Sequence, residues 1–308
     1  MKQQTPLVSV VVIAYHSRDT ILETLDSIYA QTYQNLELIV SDDGSSDDTV
    51  AVARAWADTH ADRFVRCVVH ANPENLGVPE NLNTGIRLSR GEYIKDLAAD
   101  DMLLPDCVEK CVACCLEKGY DNLSARVHPF RMVDGEKVYC EEIKLDTAFF
   151  EKSPAQQYVD MLVEHRIISP TFFASRQLLE EMGLYDPRFR LMEDYPMNLK
   201  IPKSGHQLHF LDDYTVEYRL SDSSLSNRTE GRVVHPGFHK TMKKFFYQVR
   251  LPGLLRYGKI KRVLGELRRF LLSDLILLFG NDRKKKPVAF LEKVKNRTLF
   301  NKKSEECM

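Results

Sequence analysis

Three short acidic stretches carry the side chains best suited to chemistry in this 308-residue chain. They are Ser41-Asp42-Asp43-Gly44-Ser45-Ser46-Asp47, Ala98-Ala99-Asp100-Asp101 and Glu193-Asp194. Carboxylates gathered in one crevice repel each other unless a cation or hydrogen-bond donors offset them. For oxygen ligands a hard divalent ion, magnesium or manganese, is the simplest offset. A carboxylate facing such a crevice can also accept a proton as a general base. Each stretch has a plainer reading as well: the aspartates at 42 and 43 as a turn and helix cap, and Glu193-Asp194 as an acidic first turn favoured by the helix dipole.

The surrounding pattern says what positions them. Leu7 to Ala14 is a near-continuous apolar, β-branched run, which predicts a central strand covered on both faces. Ile21, Leu22, Leu25, Ile28 and Tyr29 follow at helical spacing behind Asp19 and Thr20, which can cap, and Leu36 to Val40 returns to strand pattern. The alternation continues with a helix near Thr49 to Ala57, a strand at Val65 to Val69, a helix from Pro79 to Leu88, a strand at Tyr93 to Leu97 and a helix from Asp106 to Glu117. This is an α/β layered pattern, in which ligands collect beyond the carboxyl ends of parallel strands. Tyr15 and the first two acidic stretches lie at such ends. Asp134-Gly135 predicts a hairpin, and with it an antiparallel element interrupting the parallel sheet. Ser169 to Ala174 and Gln207 to Leu220 read as further strands around a helix at Arg176 to Met182 that stops at Gly183. The polar stretch Ser221 to Gly231 reads as a boundary.

Five segments, taken in order, resemble the family 2 glycosyltransferases over residues 7 to about 220: VSVVVIAY, QTYQNLELIVSDDGSSDDT, NPENLGVPENLNTGI, GEYIKDLAADDMLLPD and GLYDPRFRLMEDYPMNLKIPKSG. The resemblance implies a GT-A fold, a Rossmann-like nucleotide-binding mixed sheet with helices on both faces, and sugar transfer from a nucleotide-sugar donor with inversion. It implies that Asp43 recognises the base, usually uracil, with Asp42 supporting the turn and Tyr15 beside the base. Asn75, Gly77, Asn81 and Asn83 match the loop and helix face under the nucleotide. From residue type alone, Tyr15 reads equally as a packed strand-end aromatic and Asn75 as a helix cap. Many relatives carry aspartate where this chain has Ala98. In members that share alanine there, the first remaining aspartate contacts ribose and the second holds the metal, which assigns Asp100 to ribose and Asp101 to the ion. Asp194 matches the general base, with Glu193 supporting it and Pro196 in the first helical turn, where a missing N–H costs little. Arg219, in Tyr218-Arg219-Leu220-Ser221, reaches the diphosphate or else makes a surface ion pair. Ser221 stands where many relatives have histidine, so no histidine role carries over.

Composition bounds the rest. At 44% hydrophobic and 28% charged the chain buries a full core. It is expected to form a catalytic domain over 1–225 and a basic, mostly helical extension over 226–308. The opening residues lack the pattern of a cleaved leader, and the longest apolar run of the tail, Phe270 to Phe279, falls well short of the ~20 residues of a spanning helix. A cytoplasmic protein without a transmembrane helix is expected. Seven cysteines, an odd number, fit a reducing compartment. Cys107, Cys111, Cys114 and Cys115 read as small buried residues of one helix rather than a metal or redox site. His165, His206 and His209 show no ligand spacing.

Residues 231–308 hold 20 lysines and arginines against 6 aspartates and glutamates, a net charge of +14, while the rest of the chain nets −15. In Lys259 to Phe279 helical spacing can place Ile260, Val263, Leu264, Leu267, Phe270, Leu271, Leu275 and Leu278 along one side, and Arg283 to Lys286 follow as a basic cluster. Two readings stand: in-plane docking on anionic lipid at the inner face of the plasma membrane, or an ordinary helix closing over the catalytic domain. Nucleic acid fits poorly, since no aromatic platform is interleaved with the cations. The expected partners are a nucleotide sugar, usually a UDP-sugar, and a saccharide or lipid-linked saccharide acceptor, with surface polysaccharide synthesis in bacteria as the family habit. Two alternatives remain: a sugar-phosphate nucleotidyltransferase, which normally opens with a Gly-rich loop that Ala14-Tyr15-His16-Ser17 is not, and a non-catalytic nucleotide-binding or scaffold protein, motivated by Ala98.

Overall fold

The computed structural model describes residues 5–220 and 232–296. The stretch Ser221 to Gly231, read above as a boundary, therefore lies outside the described residues. Two compact units are found. One comprises the described residues up to Tyr158 together with Arg166–Arg219; the other comprises Val159–His165 and the described residues from Leu220 onward.

The first unit is a nine-stranded mixed sheet. Strands β1 (Val8–Ala14), β2 (Leu36–Asp42), β3 (Arg66–Ala71) and β4 (Tyr93–Ala98) run parallel in the order β3-β2-β1-β4. Their connections are helices α1 (Ile21–Tyr29), α2 (Thr49–His60) and α3 (Val78–Leu88). Alternation along β1 explains the layering. Val8, Val10, Val12 and Ala14 pack with Ile21, Leu25 and Ile28 of α1 and Ala53 and Trp56 of α2, whereas Val11 meets Gly85 of α3 on the other face. Every β2 residue is buried, as a strand covered on both faces requires. Thr20 does not cap α1 with its side chain. Its hydroxyl donates instead to the carbonyl of Ala99, 2.7 Å away, because the loop after β4 comes close enough to offer a better acceptor.

Beyond β4 the sheet turns mixed. Strand β5 (Met102–Leu103) and helix α4 (Cys107–Lys118) lead to β6 (Asn122–Val133), which pairs with β7 (Glu136–Tyr139) across the Asp134-Gly135 turn. Both turn residues have positive φ, 52° and 85°. Cys107, Cys111, Cys114 and Cys115 are free and buried in the core beneath the sheet. Helix α5 (Pro154–Val163) follows, then β8 (Phe173–Ser175), antiparallel to both β4 and β6. The expected strand from Ser169 is a 3-10 turn over Ser169–Thr171. Pro170 has no N–H to give a ladder and its ring favours the turn. Helices α6 (Arg176–Glu181) and α7 (Asp194–Lys203) precede β9 (Phe210–Arg219), which lies parallel to β6; its start at Phe210 trims the longer strand expected from Gln207.

The second unit is helical: α8 (Pro236–Phe245), α9 (Leu251–Arg256), α10 (Ile260–Leu278) and α11 (Lys286–Asn296). Three arginines converge on Glu266 of α10, Arg250 at 3.1 Å, Arg262 at 2.8 Å and Arg269 at 2.7 Å. Arg250 is itself buried and donates to the Leu162 and Val163 carbonyls. The single apolar side expected of α10 is corrected. Val263, Phe270 and Ile276 point inward, while Ile260, Leu264, Leu267, Leu271 and Leu278 stay exposed as a second apolar stripe. A buried charge cluster at Glu266 fixes which face turns in, since buried charges must be paired. No helix among the described residues is long and apolar enough to cross a membrane.

Candidate active site

The loops after β1, β2 and β4 lock together at the carboxyl edge of the parallel strands. The Asp43 N–H donates to the Ala14 carbonyl at 2.8 Å, the His16 N–H to Ser45 Oγ at 2.8 Å and the Ser17 N–H to Thr49 Oγ1 at 2.9 Å. Asp42 closes its own turn by accepting from the N–H of Ser45 at 2.8 Å. Asp43 Oδ1 and Oδ2 accept from the N–H groups of Leu76 and Gly77, at 2.7 and 2.9 Å. A carboxylate offers roughly four lone-pair sites, so these bonds take about half. Gly44 permits the approach: its φ is +75° and a Cβ there would sit 2.8 Å from the Glu74 carbonyl carbon. Tyr15 is 40% exposed and stacks on His16 at 4.2 Å, so it is not a packed strand-end aromatic. His16 itself holds a φ of 51°, uncommon for a residue other than glycine.

Asn75 is not the cap of α3; Gly77 is. Its Oδ1 accepts from Arg190 Nη2 at 3.0 Å, and the same nitrogen reaches the Asn75 carbonyl at 2.8 Å. Arg190 thereby ties the loop beside Asp43 to the segment leading into α7. Asn81 and Asn83 are buried brackets: Asn81 exchanges hydrogen bonds with Ser41 and Asn72, and Asn83 with the backbone of Tyr185.

After β4, the Asp100-Asp101 turn is clamped from β9. Asp101 Oδ1 accepts from the N–H of Arg219 at 2.9 Å, and Arg219 Nε donates to the Asp100 carbonyl at 2.9 Å. The Arg219 guanidinium lies over the Phe130 ring and pairs with Glu23 at 2.8 Å. Arg219 is 8% exposed and Glu23 44%, so the guanidinium is enclosed while its partner stays at the surface. Burial raises the Asp100 carboxyl above its ordinary range against the pull of Arg219. Burial and the neighbouring Asp100 push Asp101 well up.

Asp194 opens α7, with Oδ1 accepting from the Tyr195 N–H at 2.7 Å and Oδ2 from the Ser169 hydroxyl. Burial, then Asp194, then Asp96 lift the Glu193 carboxyl to about 8. Asp96 of β4, which sequence reading passed over, is raised by burial with Asp194 adding to it. A polar residue inside a strand expected to be apolar was the available signal. Tyr218 joins the two halves of the site: burial, with Asp101, Asp100, Asp194 and Glu193 all pushing the same way, holds its phenol at about 12.

Glu193 yields a stability prediction with a definite sign. Its folded-state value of about 8 lies above the ordinary ~4.3 of an unfolded glutamate, so stability present below ~4.3 is lost as pH rises through 8. Glu193→Gln, which stays neutral, is expected to gain thermal stability over wild type progressively between pH 5 and 8 and to hold that gain above. A melting-temperature difference independent of pH would contradict the assignment.

Among the described residues no group of three or more histidine, cysteine, aspartate or glutamate side chains is arranged to hold a cation. Magnesium and manganese often take only one or two carboxylates and complete their shell with water and phosphate oxygens. Two adjacent carboxylates, both raised by burial and one further by the other, fit such an ion shared with a diphosphate, and do not fit an all-protein cage.

Residues 9–183 match the sequence model of glycosyl transferase family 2. An uncharacterized glycosyltransferase of Haemophilus influenzae is 38% identical over 229 residues, covering 73% of this chain and 69% of that one. The UDP-Glc:alpha-D-GlcNAc-diphosphoundecaprenol beta-1,3-glucosyltransferase WfaP of Escherichia coli is 27% identical over 71% of this chain and 80% of its own length. Among solved structures, Staphylococcus aureus TarS 1-349 in complex with UDP-GlcNAc superposes with a TM-score of 0.59 at 17% identity, over 91% of this chain and 74% of that one, which is a likeness of fold.

Proposed function

Because this chain belongs to glycosyl transferase family 2 and is a glycosyltransferase, we propose that it transfers a sugar from a UDP-sugar to an acceptor hydroxyl with inversion. The observation that carries the reading is that both carboxylate pairs are tied to β4: Asp100-Asp101 follow it, with Asp101 held by the Arg219 N–H, and Asp194 is held by Ser169, whose turn is hydrogen-bonded to Lys95 of β4. The first pair lies at the carboxyl end of β4, where nucleotides bind such sheets; the second opens α7. Asp194 takes the acceptor proton as the acceptor oxygen bonds to the anomeric carbon. The bond from that carbon to the phosphate oxygen breaks on the opposite face and UDP leaves. Glu193, neutral near pH 7 at about 8, adds no charge beside that base. Tyr15 and Asp43 flank the base of the nucleotide, Asn75 lies under it, Asp100 takes the ribose, and Asp101 would hold a divalent ion beside the diphosphate. When bound, that ion supplies Lewis-acid neutralisation of the departing diphosphate. Arg219, clamping both aspartates from β9, supports the turn rather than reaching the phosphates itself.

The relatives support the donor class: one is named for UDP-glucose and a lipid diphosphate acceptor, and the TarS structure contains UDP-GlcNAc. The test is UDP release by the purified chain over a panel of nucleotide sugars. Consumption of a UDP-sugar is expected. Consumption of a nucleoside triphosphate with a sugar phosphate would point to a nucleotidyltransferase, and no turnover at all to a binding protein.

The reading extends to an anionic membrane surface as the place where a lipid-linked acceptor is met. The exposed stripe Ile260, Leu264, Leu267, Leu271 and Leu278 runs beside Lys261 and Arg268 on α10. Apolar residues flanked by cations complement anionic lipid, while a second copy of so basic a helix would be repelled. The full chain is expected to cosediment with phosphatidylglycerol vesicles more than with phosphatidylcholine vesicles. Salt weakens that binding, and Leu264→Asp with Leu271→Asp abolishes it. Equal binding to both vesicle types, or none, contradicts the membrane reading.

A further inference from the structure

Lys95, in the middle of β4, has no exposed surface. Its Nζ donates to three backbone carbonyls, those of Asp96, Pro170 at 2.7 Å and Phe172 at 3.3 Å. An ammonium has three donors, so this set can use them all. Burying a lysine away from water is costly unless its donors are satisfied, and here they are spent on holding backbone. Two of the three carbonyls belong to the 3-10 turn Ser169–Thr171 and the residue that ends it. Ser169, the first residue of that turn, donates its hydroxyl to Oδ2 of Asp194, and the Tyr195 N–H holds Oδ1. The plane of the carboxylate is thus fixed from two directions, one on its own helix and one on a turn pinned to the central sheet.

We propose that Ser169 is a positioning residue that aims the Asp194 carboxylate at the acceptor hydroxyl, and that Lys95 acts through it by locking the turn. The proposal rests on the reading of Asp194 as general base. A base works only within hydrogen-bond reach and at the right angle, and small misplacements cost about 100-fold in rate. Ser169 holds Oδ2 and the Tyr195 N–H holds Oδ1, so removing the hydroxyl weakens the hold on one oxygen without removing the base.

The test is UDP release from UDP-glucose and UDP-N-acetylglucosamine with water as acceptor, together with crystal structures of the variants. Ser169→Ala is expected to lower kcat by about 10- to 100-fold with KM unchanged, and Ser169→Thr, which keeps the hydroxyl, to restore it. Lys95→Gln lowers kcat as well, and adding it to Ser169→Ala costs little more, because both act on one arrangement. In the crystal of Ser169→Ala the Asp194 carboxylate leaves its single orientation; in Ser169→Thr it keeps it. The proposal is overturned if Ser169→Ala retains wild-type kcat and an ordered Asp194, or if it loses KM and thermal stability together without rescue by threonine. Should Lys95→Gln fail to fold, the Ser169 variants decide alone. Asp194→Asn in the same assay separates the two claims: full turnover there defeats the base assignment, whereas an inactive Asp194→Asn beside a fully active Ser169→Ala defeats only the positioning role.

Discussion

Replacing Asp194 by asparagine lowers kcat by about 10²- to 10⁴-fold, the range a positioned general base supplies, while UDP binds the variant as tightly as wild type. The amide keeps the shape of the side chain: its oxygen can still accept from the Tyr195 N–H, and its NH2 can donate to the Ser169 hydroxyl oxygen, which turns from donor to acceptor, so the start of α7 holds. What it loses is the ability to take the acceptor proton. The groups proposed to hold the nucleotide, Asp43 after β2 and Asp100-Asp101 after β4, sit on other elements, which is why binding is expected to be spared. Turnover and UDP calorimetry on the same preparation measure both halves. A variant with near-normal turnover would move the base to Glu193. A variant that loses UDP affinity and thermal stability together would make the pair at the head of α7 structural.

Asp101→Ala is expected to lose metal-dependent UDP affinity by more than the roughly 10- to 100-fold that outer-shell partners of a metal cost, because the carboxylate proposed as the ligand is itself removed. Its carboxylate has little solvent to stabilise it: Asp101 is 2% exposed, and burial with Asp100 beside it pushes its pKa well up. A divalent cation reverses that balance and is most strongly held where the protein's own positive groups are already committed, as Arg219 is to Glu23 and the Asp100 carbonyl. Asp101→Asn separates charge from packing, since it keeps the acceptor for the Arg219 N–H and loses only the charge. Titration calorimetry with manganese reads the difference. Equal affinity of wild type and Asp101→Ala would remove Asp101 from the nucleotide site.

The elements of the parallel half were legible because their signals are local and repeated. The β-branched run of β1 and the helical spacing of α1 fixed those elements to within a residue of their observed ends. Asp134-Gly135 announced the hairpin because positive φ is written into residue type. The acidic turns were legible as a set, since strand ends and residue order placed them together. Ser169 and Lys95 were not, because their meaning comes from contacts across 25 and 75 residues that no local pattern encodes. For Arg219 the sequence left a diphosphate contact and a surface ion pair both open for the same reason: nothing near it in sequence shows that it will pair with Glu23 and lie over Phe130. Helix α10 exposes the limit of periodicity. One apolar pattern served two faces, and only the arginines gathered on Glu266 decided which turned inward.

The most direct test of the account is calorimetric titration of UDP into the purified full chain, once with manganese and once with EDTA. The account predicts saturable binding with manganese that EDTA abolishes, with GDP and ADP binding far more weakly. Equal UDP binding in EDTA would contradict the metal at Asp101, and the absence of UDP binding under both conditions would contradict the nucleotide-sugar transferase reading itself.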